Sequence, residues 1–190
     1  MKRRSFLAGL AAAPLVGLGA ACAQSSRSGS SASASGGEGQ GAASPAPELP
    51  PVDLDDPPPV TDRLELSEAE WRALLTEEEF EVLREEGTER AFTGDLWDEH
   101  REGTYACAGC GNPLYHSRDK FDSGTGWPSF TRPIEKGRIA TEVDRRYGMV
   151  RVECHCARCG GHQGHVFPDG PPPTGKRHCI NSVSLDFHPA

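Results

Sequence analysis

The sequence predicts a small, mainly antiparallel β domain with α-helices at its N-terminal end. Three observations predict it. Two stretches between Ser67 and Gly87 carry helix caps and helical apolar spacing. After Gly103 the chain turns to short runs of alternating apolar and polar residues, broken by Gly and Pro. No segment beyond residue 104 has helix-length periodicity.

Composition limits how much of the chain can fold. Only 36% of the 190 residues are apolar, against about 45–50% (glycine included) in a typical globular chain. Part of the chain is therefore expected to lie outside a core. The net charge of −8 argues against a nucleic-acid binder, which needs a basic footprint. No run of about 20 apolar residues exists, so no conventional membrane span is expected. Residues 61–103 hold 15 acids and 5 bases, whereas residues 104–190 hold 8 acids and 11 bases. Six of the seven cysteines lie in the second segment, and the chemistry is expected there.

Residues 1–23 read as an export signal. Met1-Lys2-Arg3-Arg4 gives a basic start, and Phe6 to Ala21 is an uncharged, mostly apolar stretch. The Arg3-Arg4 pair with Phe6-Leu7 resembles the twin-arginine export motif. Leu18-Gly19-Ala20-Ala21-Cys22 resembles a bacterial lipoprotein site with Cys22 as the lipidated residue, and Ala21-Cys22-Ala23 also fits ordinary signal cleavage. Residues 24–63, rich in Ser, Gly, Ala and Pro, offer too little apolar surface to offset ordering entropy. They are expected to form a disordered spacer, which suits a domain held off a membrane by an anchor. The expected location is the bacterial cell envelope or periplasm, with a candidate lipid anchor at Cys22.

Residues 64–190 are expected to fold. Ser67-Glu68-Ala69-Glu70 has the Ser-x-x-Glu form of a capping box, followed by Trp71, Leu74 and Leu75 at helical spacing. Thr76 caps a second helix, with Glu77, Glu78 and Glu79 near its positive end and Phe80, Val82 and Leu83 as a buried stripe. Gly87 is the expected stop. The acidic face of this pair reads as solvated surface. In Met149 to His155, Val150, Val152 and Cys154 share one parity, and Arg151 and Glu153 share the other. Cys179 to Phe187 also alternates, placing Arg177, Cys179, Asn181, Val183, Leu185 and Phe187 on one face of a single strand.

Cys107-x-x-Cys110 and Cys156-x-x-Cys159 are two pairs at metal-ligand spacing, each beside glycines. A tight turn aims two sulfurs at two corners of a tetrahedron, and two such turns close a structural Zn²⁺ site. An exported chain also meets oxidants, so a disulfide framework is the competing reading. Export of an already folded protein favours zinc, loaded before oxidants are met.

Cys179 lies outside these pairs, with Arg177 two residues before it. A guanidinium beside a thiol favours the thiolate, the nucleophilic form. His162 and His165 lie upstream, and an imidazole donates a proton to a reacting oxygen. Asp169 is the one carboxylate of that stretch, and Trp127 sits in a glycine-rich loop that could line a small apolar pocket. Each residue alone has an ordinary structural explanation; the combination carries the functional reading.

Five segments together resemble the B-type methionine sulfoxide reductases. They are Tyr105-Ala106-Cys107-x-x-Cys110, Phe121-Asp122-Ser123-Gly124-x-Gly126-Trp127-Pro128-Ser129-Phe130, Cys156-x-x-Cys159, Gly164-His165-Val166-Phe167-x-Asp169-Gly170 and Arg177-x-Cys179-x-Asn181-Ser182. The resemblance spans about residues 70–188. It implies two antiparallel sheets forming a distorted barrel, N-terminal helices and a zinc held by Cys107, Cys110, Cys156 and Cys159. It implies reduction of the R epimer of methionine sulfoxide in proteins. Cys179 would be the catalytic cysteine, activated by Arg177 and oxidised to a sulfenic acid. His162, His165 and Asn181 would bind and polarise the oxygen, Asp169 would support them, and Trp127 would pack on the substrate methyl group, with Phe167 in the same binding region.

The chain departs from many family members at Thr125, where they carry a recycling cysteine. A hydroxyl cannot form the disulfide that resolves a sulfenic acid. An external small thiol or thioredoxin-like protein is the favoured route; Cys154 is a candidate resolving cysteine, and Cys22 another only if not lipidated. Two other classes compete with the reductase: a zinc-ribbon-like binding module without chemistry, and a cysteine hydrolase using Cys179, His165 and Asn181.

Overall fold

The computed structural model describes residues 47–190. The export signal, Cys22 and the spacer up to residue 46 lie outside the described residues. Helices α1 (Glu68–Leu74) and α2 (Glu77–Glu85) start where reciprocal capping boxes form. The Ser67 backbone N–H donates to the Glu70 carboxylate at 2.7 Å, and the Thr76 N–H to that of Glu79 at 2.8 Å. The Ser67 and Thr76 hydroxyls accept in return from the Glu70 and Glu79 N–H groups. Trp71, Phe80, Val82 and Leu83 are buried as the stripe predicts. The stop differs by one residue: Glu86 takes the left-handed conformation, and the Gly87 N–H then closes the helix onto the Glu81 carbonyl at 2.9 Å.

Eight strands follow. β1 (Gly103–Cys107), β2 (Pro113–His116) and β8 (Leu185–Pro189) form one sheet in the order β2-β1-β8. β3 (Ser129–Phe130), β4 (Ile139–Asp144), β5 (Arg151–Cys156), β6 (His162–Phe167) and β7 (Arg177–Ile180) form the second, in the order β3-β7-β6-β5-β4. Every pairing is antiparallel. The core is aromatic at its centre. Tyr105, Tyr115 and Phe130 are fully buried, and Tyr115 stacks on Phe130 with ring centroids 4.3 Å apart.

Two expectations need correction. The alternating run from Cys179 to Phe187 is two strands in different sheets. Between them the Ser184 N–H bonds to the Asn181 carbonyl and the Leu185 N–H to that of Ser182, a turn that carries the chain from one sheet to the other. Periodicity alone cannot show a turn whose residues keep the alternation. In the β5 region, Val150 and Val152 are exposed while Glu153 is buried, so the apolar parity is not uniformly the core face.

The end of the Pro-rich stretch, expected as spacer, has no regular secondary structure yet lies along the domain. Arg138 donates to the Pro58 carbonyl at 2.6 Å, Arg63 donates to the Ala157 carbonyl, and the Leu64 N–H bonds to the Arg158 carbonyl. Proline-rich chain is already extended and loses little freedom on lying down.

α2 covers the β domain through Leu83, which is 2% exposed and belongs to the same core cluster as Cys107, Cys110, Cys156 and Cys159. Leu83→Ala is expected to lower stability by about 2–5 kcal/mol, the usual cost of such a cavity. A urea titration followed by circular dichroism would show it as an earlier midpoint with an unchanged slope.

Candidate active site and four-cysteine cluster

The turn after β1 and the turn between β5 and β6 bring Cys107, Cys110, Cys156 and Cys159 together, all buried, with their sulfurs within 4.8 Å of one another. Cys107 and Cys159 lie 3.7 Å apart at Sγ, and Cys110 and Cys156 lie 3.6 Å apart. A disulfide would need about 2.05 Å. Four sulfurs at about 2.3 Å from a tetrahedral Zn²⁺ lie about 3.8 Å apart, so these donors fit such an ion. Two amides face the sulfurs: Asn112 Nδ2 lies 3.4 Å from Cys156 Sγ, and Gln163 Nε2 lies 3.5 Å from Cys107 Sγ. Donors of this kind stabilise ligand thiolates. The four cysteines therefore form a site that can hold a metal ion.

The second site is built by strand register. Cys179 on β7 pairs with Ser129 on β3 and with His165 on β6, and His165 pairs with Glu153 on β5. Paired residues of antiparallel strands point to the same face, so this row shares one side of the sheet. Phe167 and Arg177, themselves paired, extend it. A bulge at Gln163 inserts one residue into β6. It puts His162 beside His165, with ring centroids 5.5 Å apart. β6 and β7 approach so closely at Gly164 that a side chain there would meet the Cys179 carbonyl oxygen at 2.0 Å. Only glycine fits.

Trp127, Arg151, His165, Phe167, Cys179 and Asn181 line a cleft of about 150 Å³. The Trp127 indole N–H donates to the Glu89 carbonyl at 3.1 Å. Asn181 is held at both ends of its amide: Oδ1 accepts from the Glu89 N–H at 3.2 Å, and Nδ2 donates to the Gln163 carbonyl at 3.1 Å. Its second amide hydrogen is left for the cleft. Asp169 makes two bonds of 3.0 Å with Arg177, whose guanidinium stacks on Phe167 at 4.5 Å from the ring centroid.

Charge does not decide the state of Cys179 alone. Burial pushes its thiol up, while the Arg177 guanidinium and the Thr125 hydroxyl pull it down, and burial wins. The sequence led us to expect a net lowering by Arg177. The guanidinium does act in that direction, but Asp169 takes up part of its charge and the cleft wall excludes water. Burial also pushes His162 down to about 4 and lowers His165, so both imidazoles are neutral at pH 7. His162 Nδ1 lies 2.6 Å from Glu153, and His165 Nε2 lies 3.0 Å from Asp144. Asp144 also accepts from the Arg146 N–H and from Arg151, and the Arg146 N–H, then His165 and Arg151, hold its carboxyl below the usual range.

The structure thus brings Cys179, His165, Asn181, Trp127 and Phe167 to one cleft, with Arg177 and Asp169 behind Phe167 and His162 behind His165. It does not bring Cys154 there. Cys154 pairs with Gly164, which pairs with Ile180, so its side chain points to the opposite face, fully buried. Burial raises its thiol above the ordinary range. Sequence reasoning missed Glu89, Asp144, Arg151 and Glu153 as parts of the site. Only the strand register, which places Glu153 opposite His165, could have pointed to any of them.

The SelR domain family model matches residues 75–189. The peptide methionine sulfoxide reductase MsrB of Thiobacillus denitrificans is 58% identical over 123 residues, covering 65% of this chain and 93% of that relative. The protein of the same name from Agrobacterium fabrum is 54% identical over 123 residues, covering 65% and 91%. That from Methanosarcina barkeri is 55% identical over 124 residues, covering 65% and 87%.

With burial holding Cys179 as a thiol near neutrality, its alkylation by iodoacetamide should climb about tenfold per pH unit above pH 7, as the thiolate fraction rises. Arg177→Met should move the inflection up by about one unit. Peptide-resolved mass spectrometry at Cys179 measures both.

Proposed function

The chain belongs to the SelR domain family, and from that membership and the cleft we infer that it reduces the R epimer of methionine sulfoxide in proteins to methionine. It is an oxidoreductase acting on a sulfoxide. The observation that carries this reading is the Cys179 thiol in a cleft whose other walls are an indole, a phenyl ring, an imidazole and a fixed amide.

Trp127 and Phe167 offer the apolar surface that accepts a methyl thioether, and Asn181 and His165 face the position of the oxygen. Cys179 gives up its proton and its thiolate attacks the sulfoxide sulfur. The oxygen passes to Cys179 and takes up one proton, leaving a Cys179 sulfenic acid and a neutral thioether. The cysteine sulfur loses the two electrons that the sulfoxide sulfur gains. Because Cys154 lies on the other face, an external dithiol or thioredoxin-like protein completes the cycle. One thiol displaces water from the sulfenic acid to give a mixed disulfide, and a second releases Cys179 as the thiol.

Zn²⁺ is the metal this donor set fits best, four thiolates in a closed tetrahedron. Cys107, Cys110, Cys156 and Cys159 would hold it, and its contribution would be structural, fastening the β1 turn to the β5–β6 turn. The export motif and Cys22 support a place in the bacterial envelope, lipid-anchored through a proline-stiffened spacer, where oxidised envelope proteins would be substrates. A mature N-terminus at Gln24 in mass spectrometry would exclude the anchor.

A cysteine hydrolase fits less well. Such an enzyme needs a base on the nucleophile, and among the described residues Cys179 bonds to no imidazole, while His165 Nε2 is committed to Asp144. A mixture of methionine sulfoxide epimers incubated with dithiothreitol should lose the R epimer alone. Cys179→Ser should abolish that loss and keep its metal; retained turnover would refute the assignment. Metal analysis of the purified protein should give about one Zn²⁺ per chain, and Cys110→Ser should lose the ion and most of the folding stability.

A further inference from the structure

Thr125 approaches Cys179 from the loop before β3. Its Oγ1 lies 4.0 Å from Cys179 Sγ, so its hydroxyl meets that sulfur alongside the Arg177 guanidinium. Thr125 is also the near end of a chain of hydroxyls. Thr125 Oγ1 is 2.8 Å from Ser123 Oγ, and Ser123 Oγ is 2.7 Å from Ser129 Oγ. The chain is anchored at its far end, where Ser129, fully buried, donates to the Trp127 carbonyl at 3.2 Å.

That anchor favours one direction for the protons. With the Ser129 hydrogen on the Trp127 carbonyl, the Ser123 hydrogen goes to Ser129. Ser123 Oγ then accepts, and the single Thr125 hydrogen has two destinations, Ser123 or Cys179. A hydroxyl rotor moves between such partners at little cost. While Cys179 is a thiol, Thr125 donates to Ser123 and its lone pairs face the sulfur. When Cys179 ionises, rotation of one O–H bond turns the same group into a donor to the thiolate. When the sulfur carries oxygen, rotation back offers an acceptor to the sulfenic O–H.

We propose that Thr125 is a catalytic residue, its hydroxyl donating to the Cys179 thiolate and then accepting from the Cys179 sulfenic acid, with Ser123 and Ser129 setting the proton direction. The proposal rests on Cys179 being the nucleophile. It gives the hydroxyl a task of its own at a position where a disulfide partner is absent. A charge-assisted bond to sulfur is stronger than a neutral one, which places its effect in the ionised state. The other groups around the sulfur are Arg177 paired with Asp169, His165 of β6 and Arg151 of β5, none of which belongs to the hydroxyl chain. Asp122, on the same loop, turns back to the Gly124 N–H.

The test uses the full chain and one equivalent of R-epimer methionine sulfoxide, following sulfenic acid at Cys179 by mass spectrometry across pH 6 to 10. Thr125→Val keeps the shape and removes the hydroxyl. It should slow the first turnover about tenfold at pH 7 and move the inflection up by about one unit. Thr125→Ser should restore the parent profile, and Ser123→Ala should fall between. Metal content and melting temperature establish that each variant is folded. A Thr125→Val profile that overlays the parent overturns the proposal, as does a Thr125→Ser profile that matches Thr125→Val. Failure of the underlying reading looks different: turnover would then survive in Cys179→Ser.

Discussion

The antiparallel register of β3, β7, β6 and β5 is the constraint on which the site depends. It places Ser129, Cys179, His165 and Glu153 in one row across the sheet, from four segments spread over 51 residues of sequence. A slip of one residue in β7 would send Cys179 into the aromatic core and Ile180 to the cleft. Burial on both faces prevents it. Ile180 and Phe130 are fully buried on the core side, while the Arg177–Asp169 pair occupies the other. The bulge at Gln163 is the single irregularity in this frame, and it serves the site by restoring His162 to the face of His165.

Within the cleft, desolvation and charge oppose each other. Exclusion of water raises the Cys179 thiol and lowers both histidines, so the resting groups are neutral. A neutral thiol resists stray oxidation, which requires thiolate character. Nucleophilicity then has to come from groups placed to favour the anion, and Arg177 and Thr125 are so placed. Glu89 plays the complementary mechanical part. Its carboxylate accepts from the Ser182 and Val183 N–H groups at 2.6 and 2.9 Å, while its backbone holds Trp127 and Asn181. One buried residue in an irregular segment thus locates both the apolar and the polar wall.

Local signals in the sequence accounted for the capped helices and the paired cysteines, because a capping box and a Cys-x-x-Cys turn are complete within a few residues. The β class was legible for the same reason. The split of the run from Cys179 to Phe187 was not, since the alternation continues through a turn that only hydrogen bonds reveal. Long-range partners were equally hidden. Asp144 meets His165 and Arg151, and Glu89 meets Asn181, through contacts across 21, 7 and 92 positions that no local pattern encodes. The failure of Cys154 to reach Cys179 is a matter of strand parity, readable once the register is known and not before.

The two sites are joined through one residue. Gln163 donates from Nε2 to Cys107 Sγ, and its carbonyl accepts from both the backbone and the side-chain amide of Asn181, at 2.9 and 3.1 Å. It occupies the bulge, so its side chain turns toward the cysteine cluster while its backbone belongs to the cleft. Any shift of the Cys107 turn is therefore felt at Asn181, whose amide lines the cleft. A metal held by the four cysteines would need no part in the chemistry to matter for it. Fixing two turns would fix the bulge, and the bulge sets the distance between His162, His165 and the Asn181 amide.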